Sequence, residues 1–140
     1  MKLNKLFLFV ILTTALVVVS CGKNTEPKRF EKIITEGSWR VGKAQFNKQN
    51  KTTVYSNYVF HFMPNKDIKI YGASDTISGA WSRGNDKKPL IFYMNFSQSY
   101  PAYIPLDDDW EVTYLTKDEF KLWRNDNNVS EDEIIFRRKG

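Results

Sequence analysis

Beyond Ile33, apolar residues recur at every second position in short runs separated by turn-forming residues. A strand sends successive side chains to opposite faces, whereas the apolar face of a helix returns every third or fourth residue. This rhythm therefore confines the segment to half-buried β-strands. The first runs from about Ser38 to Phe46 with Trp39 and Val41 inward, and its alternation breaks at Gly42, where a bulge is expected. The second, about Thr53 to Met63, sets Val54, Tyr58, Phe60 and Phe62 on one face. Pro64-Asn65-Lys66-Asp67 turns into a third with Ile68 and Ile70 inward, and a fourth presents Ile77, Gly79 and Trp81. Leu90, Phe92, Met94 and Phe96 make the fifth, and Trp110, Val112 and Tyr114 the sixth. Phe120 and Leu122 make the seventh, and Ile134 and Phe136 the eighth. Connections are mostly short, and no amphipathic helix is expected anywhere after Cys21. Eight antiparallel strands remove their unpaired edges by closing into an up-and-down barrel; the alternative is a face-to-face sandwich that leaves two edges open.

The first 20 residues read differently. Lys2 and Lys5 precede an apolar run from Leu6 to Val19, and the small Ser20 stands directly before Cys21. At about 1.5 Å per residue the run makes a helix of roughly 21 Å, short of a bilayer core of about 30 Å, so it suits a secretory signal better than a membrane span. Val18-Val19-Ser20-Cys21 resembles the signal of bacterial lipoproteins. The resemblance implies cleavage before Cys21, a diacylglyceryl thioether on its sulfur, palmitate-like acyl chains, and a lasting membrane anchor, since each buried CH₂ contributes about 0.8 kcal/mol. In Gram-negative lipoproteins an Asp after the cysteine resembles an inner-membrane retention signal; Gly22 stands there instead, which points to the outer membrane and the periplasm. The expected organisation is a signal peptide over 1–20, a lipidated tether over 21–32 and a barrel domain over 33–140. In the tether, Lys23, Lys28, Arg29 and Lys32 either lie in solvent or sit on anionic headgroups.

The formal charge of +5 falls by two when Lys2 and Lys5 leave with the signal. So slight a basic excess on an exported protein argues against nucleic acid as a partner. The single cysteine is claimed by the lipid, which leaves no internal disulfide. Stability must come from packing, and the aromatic fraction of 15% supplies large side chains for it.

Gly37-Ser38-Trp39 at the head of the first strand resembles the glycine-x-tryptophan signature of lipocalins, and the segment from Ile33 to Lys139 is similar in layout to short lipocalin-like domains of bacterial lipoproteins. The resemblance implies that Trp39 closes the base of the barrel and that Arg137 or Arg138, from the last strand, lies over it. A second such triplet, Gly79-Ala80-Trp81, admits a plainer reading, in which glycine leaves room for a large ring.

No catalytic constellation is visible. His61 is the sole histidine and is expected on the outer face, so zinc sites and the usual nucleophile and base pairings lack their parts. Asp107-Asp108-Asp109 lacks the alternate ligand spacing of a calcium loop and reads as a solvated loop end. A non-enzymatic protein with neither metal nor cofactor is expected. The long loop from Ser97 to Asp109 carries Tyr100, Pro101, Tyr103, Ile104 and Pro105, which suits either a lid or a plug. Tyr93, Leu115, Trp123 and Ile135 are expected to form an outward apolar stripe.

An apolar or amphiphilic small molecule in or at the mouth of the barrel is the expected ligand, held by Trp81, Phe92 and Met94 inside and by Tyr100 and Tyr103 from the loop. Eight strands are just wide enough to hold a ligand or to be filled by their own side chains. A filled interior would favour an envelope module that binds a protein or glycan through loops or outer face.

Overall fold

Ile68 and Ile70 are fully buried while Lys69 between them reaches solvent, and Phe92, Met94 and Phe96 alternate with exposed Tyr93 and Asn95 in the same way. The computed structural model in which this is seen describes residues 26–84, 88–97, 100–126 and 130–140. Its helices are α1 (Pro27–Thr35), α2 (Thr52–Tyr55) and the 3₁₀ segment η1 (Pro101–Leu106). Its strands are β1 (Trp39–Phe46), β2 (Gln49–Asn50), β3 (Val59–Phe62), β4 (Asp67–Tyr71), β5 (Thr76–Arg83), β6 (Ile91–Phe96), β7 (Asp108–Leu115), β8 (Glu119–Asp126) and β9 (Ser130–Arg138). From β3 to β9 each strand pairs antiparallel with the next, and β1 pairs with both β3 and β9. The sheet thus closes into an eight-stranded up-and-down barrel of lipocalin-like layout, with the two-residue β2 attached to the end of β1.

The expected bulge is present: the β1 and β9 register shifts between Val41 and Lys43, around Gly42. A second shift, between Val112 and Tyr114, was not foreseen. It turns Tyr114 out to 45% exposure and sets Leu115 against the core, reversing the inward place expected for Tyr114.

The second expected strand is shorter than its alternation suggests. Asn47 and Lys48 both take positive φ, 49° and 63°, and form a two-residue hairpin that pairs the end of β1 with β2. The chain then crosses the barrel mouth as α2, where the Ala44 amide donates to Thr52 Oγ1 at 3.0 Å. Tyr55 becomes the buried residue and Val54 is left 43% exposed.

Helix α1 corrects two expectations, that no amphipathic helix would occur and, over residues 27–32, that the chain would be a tether. Phe30 and Ile34, four residues apart, share one face and are fully buried. The Phe30 ring meets those of Phe92 and Phe120 edge-on at 5.2 and 5.8 Å, so the helix stoppers the base of the barrel. Trp39 Nε1 donates to the Ile34 carbonyl at 2.9 Å and ties the helix to β1. Among the described residues the folded unit therefore reaches back to Pro27, ahead of Ile33. Residues 1–25, with Cys21 and the signal, lie outside the described residues.

The base is latched from the other end of the chain. The Arg138 guanidinium lies 4.6 Å over the Trp39 ring and donates to the carbonyls of Lys117 at 2.6 Å, Ile33 at 3.3 Å and Glu36. Gly37 permits this twice over. Its φ of +99° disfavours any other residue, and a Cβ there would stand 2.6 Å from Arg138 Nη1. Arg137 instead reaches across the outer face to Glu119 at 2.9 Å. At Gly79 a Cβ would meet the Phe96 ring at 2.6 Å, so that glycine does make room for an aromatic neighbour.

Between the two ends the interior holds a continuous aromatic cluster. Phe60, Phe62, Phe120 and Phe136 contact one another at 4.8 to 6.4 Å and are at most 1% exposed. The outer apolar stripe does not form. Tyr93 is exposed, but Ile135 is buried, Leu115 packs on the core and Trp123 is half-buried.

Candidate functional site

At the mouth, a cleft of about 580 Å³ opens between the β1–β2 hairpin with α2 on one side and η1 on the other. Val54, Tyr55, Ile104 and Pro105 make its apolar walls, with Phe46 and Ala102 below them and Asn47, Gln49 and Lys51 along the rim. Two of these, Val54 and Ile104, are large aliphatic side chains left 43% and 39% exposed.

Each wall is held from behind. Tyr55 donates its hydroxyl to the Ala102 carbonyl at 2.7 Å, which joins α2 to η1 beneath the cleft. Burial pushes the Tyr55 phenol up to about 12, so this donor keeps its proton at physiological pH. Trp110 Nε1 donates to the Leu106 carbonyl at 3.0 Å and fixes the end of η1. Prolines at 101 and 105 restrict η1 to its tight turn, and Asp107 accepts from the Phe96 amide at 3.0 Å just beyond it.

The polar end of the cleft is an ion-pair network. Arg124 lies 4.4 Å over the Trp110 ring, donates to Asp132 at 2.7 Å and pairs with Asp108. Asp132 is 2% exposed, and its other oxygen accepts from the Asn47 amide at 2.8 Å, so the carboxylate bridges the hairpin turn to β8. Burial raises the Asp108 pKa, but bonds with Asp109 and the Arg124 charge outweigh it and hold it below the usual range; Asp109 is pushed up by its bond to Asp108. Arg124 is thus already matched by two carboxylates, and at the cleft's rim Lys51 is an exposed cation.

Trp81, Phe92 and Met94 are at most 2% exposed and belong to the packed core. The Trp81 ring lies 5.9 Å from Phe92, its Nε1 donates to the Met63 carbonyl at 3.0 Å, and Lys66 Nζ covers it at 4.0 Å. Tyr103 makes η1 a plug. It is 3% exposed and its ring meets those of Tyr55, Tyr58, Phe60 and Phe96. Tyr100 is half-buried against the same cluster. The structure therefore brings four of these five side chains into the core, sets Tyr100 against it, and places different residues around the cleft. Ile104 and Pro105 were visible in the apolar loop, whereas Val54 and Tyr55 were hidden by reading α2 as strand. His61 sits half-exposed, edge-on to Tyr71 at 5.2 Å, and burial lowers its pKa. Among the described residues no three His, Cys, Asp or Glu side chains converge as metal ligands, and no helix is long and apolar enough to cross a membrane.

No protein-family model matches this chain, and a comparison with curated proteins returns no match.

Proposed function

We propose that this is a lipid-anchored, non-enzymatic protein of the Gram-negative outer membrane that binds an apolar or amphiphilic small molecule at the mouth of its barrel. The observation that carries the reading is the cleft of about 580 Å³ with exposed aliphatic walls, set above an interior filled by its own aromatic rings. Its volume lies in the range of small-molecule sites, about 300 to 1,000 Å³. The ligand's apolar body lies between Val54 and Ile104, and its polar end faces Asn47, Gln49 and Lys51 at the rim. Attachment through an acylated Cys21 keeps the cleft within a tether's length of lipid.

The test is titration of residues 22–140 with N-phenyl-1-naphthylamine, with dodecanoate as competitor. Saturable uptake is expected, weakened roughly tenfold or more by Val54→Asp and by Ile104→Asp, since each puts a charge where an apolar contact was. Both sites are exposed, so the fold survives the changes. Absence of saturable uptake, or uptake indifferent to both substitutions, overturns the proposal.

The filled interior also supports a second reading, an envelope module whose cleft takes an apolar side chain of a protein partner or the face of a glycan. A photocrosslinker at position 104 that captures one envelope protein, with no small-molecule uptake, would select it.

A further inference from the structure

Charge is sorted along the barrel axis. At the base, the outward face of α1 carries Lys28, Arg29 and Lys32, all exposed, opposite the buried Phe30 and Ile34. Lys117, 84% exposed, and Lys139 stand at the same end, beside the exposed Met63 and Pro64 of the β3–β4 turn. The acidic residues there are Glu26, Glu31, Glu36, Asp67, Asp118 and Glu119; Glu31 is engaged by Lys66 and by Arg83 at 2.9 Å and Glu119 by Arg137 at 2.9 Å, and with Arg138 the cations named at this end are nine against six acids. The mouth has the opposite balance, with Asp75, Asp108, Asp109 and Glu131 exposed around it against Lys48 and Lys51.

We infer that the base is a docking face for an anionic lipid bilayer, with α1 laid against the headgroups and the mouth cleft directed away from the membrane. Two features select a bilayer as the occupant. The cations are spread over one end of the barrel around an exposed methionine and proline, the mixture that suits an interface of headgroups and acyl chains. The described chain also starts at this end, with Pro27 opening α1, and the apolar run from Leu6 to Val19 precedes it in the sequence. The acidic mouth is repelled by the same surface, which turns the barrel upright within a Debye length of about 8 to 10 Å. The docking needs no ligand in the cleft and no acylation, so its failure is distinguishable from failure of the reading above.

Every described contact that closes the barrel lies between Pro27 and Lys139, so residues 22–140 fold without the leader and are used for the test. They are sedimented with vesicles of phosphatidylglycerol and phosphatidylcholine, and with phosphatidylcholine alone. Binding to the anionic vesicles is expected and should fall steeply with salt. Each cation near the surface changes partitioning roughly fivefold, so Lys28→Gln with Arg29→Gln and Lys32→Gln should weaken it about a hundredfold. Lys48→Gln, at the mouth but outside the cleft's lining, should leave it unchanged. An environment-sensitive dye on Lys117→Cys should shift to the blue on these vesicles, and the same dye on Lys48→Cys should not. Equal sensitivity to mouth and base substitutions, equal shifts of the two dyes, or binding to soluble dextran sulfate without binding to vesicles overturns the inference.

Discussion

Replacing Phe30 by alanine tests whether α1 belongs to the barrel or merely leads up to it. The ring is fully buried and meets Phe92 and Phe120 edge-on at 5.2 and 5.8 Å, inside a cylinder whose wall is held by the sheet. Losing the burial of a phenylalanine costs about 1.5 to 3 kcal/mol. A closed barrel collapses poorly onto the space left behind, so a cavity cost adds to this, and the total should reach roughly 3 to 5 kcal/mol. That is a large share of the 5 to 15 kcal/mol typical of a domain's stability. With a urea slope of about 1 to 3 kcal/mol per molar, the unfolding midpoint should fall by more than about 1 M. Tryptophan fluorescence reports the transition, because Trp39, Trp81 and Trp110 are all buried. Lys32→Ala, on the exposed face of the same helix, should stay within about 0.5 kcal/mol of the parent. A loss below about 1 kcal/mol for Phe30→Ala would refute the stopper role and return α1 to the status of a tether.

Three further outcomes follow from the geometry. Arg138→Ala removes a cation over Trp39 and the bonds to three carbonyls, and should cost roughly 2 kcal/mol in urea unfolding, with lysine unable to restore it; Arg137→Ala, whose partner Glu119 lies on the outer face, should cost less than about 1 kcal/mol. In an alkaline absorbance titration one tyrosine should ionise near 12 and be missing from Tyr55→Phe, which should also unfold about 1 kcal/mol more readily through loss of its bond to Ala102. Lys66 and then Arg83 hold the Glu31 carboxyl below its ordinary 4.5, so its contribution is complete above that value and is lost as the pH falls through the lowered one. Stability profiles of the parent and Glu31→Gln should therefore differ by no more than about 1 kcal/mol at neutral pH and converge in acid; profiles that diverge below pH 4.5 would contradict the sign.

The positions that pointed inward in the sequence and in the structure are those where local alternation and tertiary demand agree, such as Ile68 and Ile70 on β4 and Phe92 to Phe96 on β6. Apart from Tyr114 on β7, turned out by a register shift, and the stripe residue Ile135 on β9, the differences fall where the chain crosses an end of the barrel. Val54 kept the right period for a strand, but the positive φ of Asn47 and Lys48 folds the chain back on β1 and leaves α2 to span the mouth. Phe30, Ile33 and Ile34 have helical spacing, yet beside Lys28, Arg29, Glu31 and Lys32 they span little more than one turn, a weak signal. What made them a core was the open base of the barrel, where Phe92 and Phe120, from strands distant in sequence, meet Phe30.

By itself the sequence determined the eight strands that close the barrel, the inward face of most of them and the bulge at Gly42, because period-two patterning and its interruption are local properties. Whether the cylinder is hollow or filled, which arginine covers Trp39, and where a cleft opens were decided by the tertiary structure. These depend on how rings from α1, η1 and opposite strands meet across a shared interior, and no residue carries that information in its own neighbourhood.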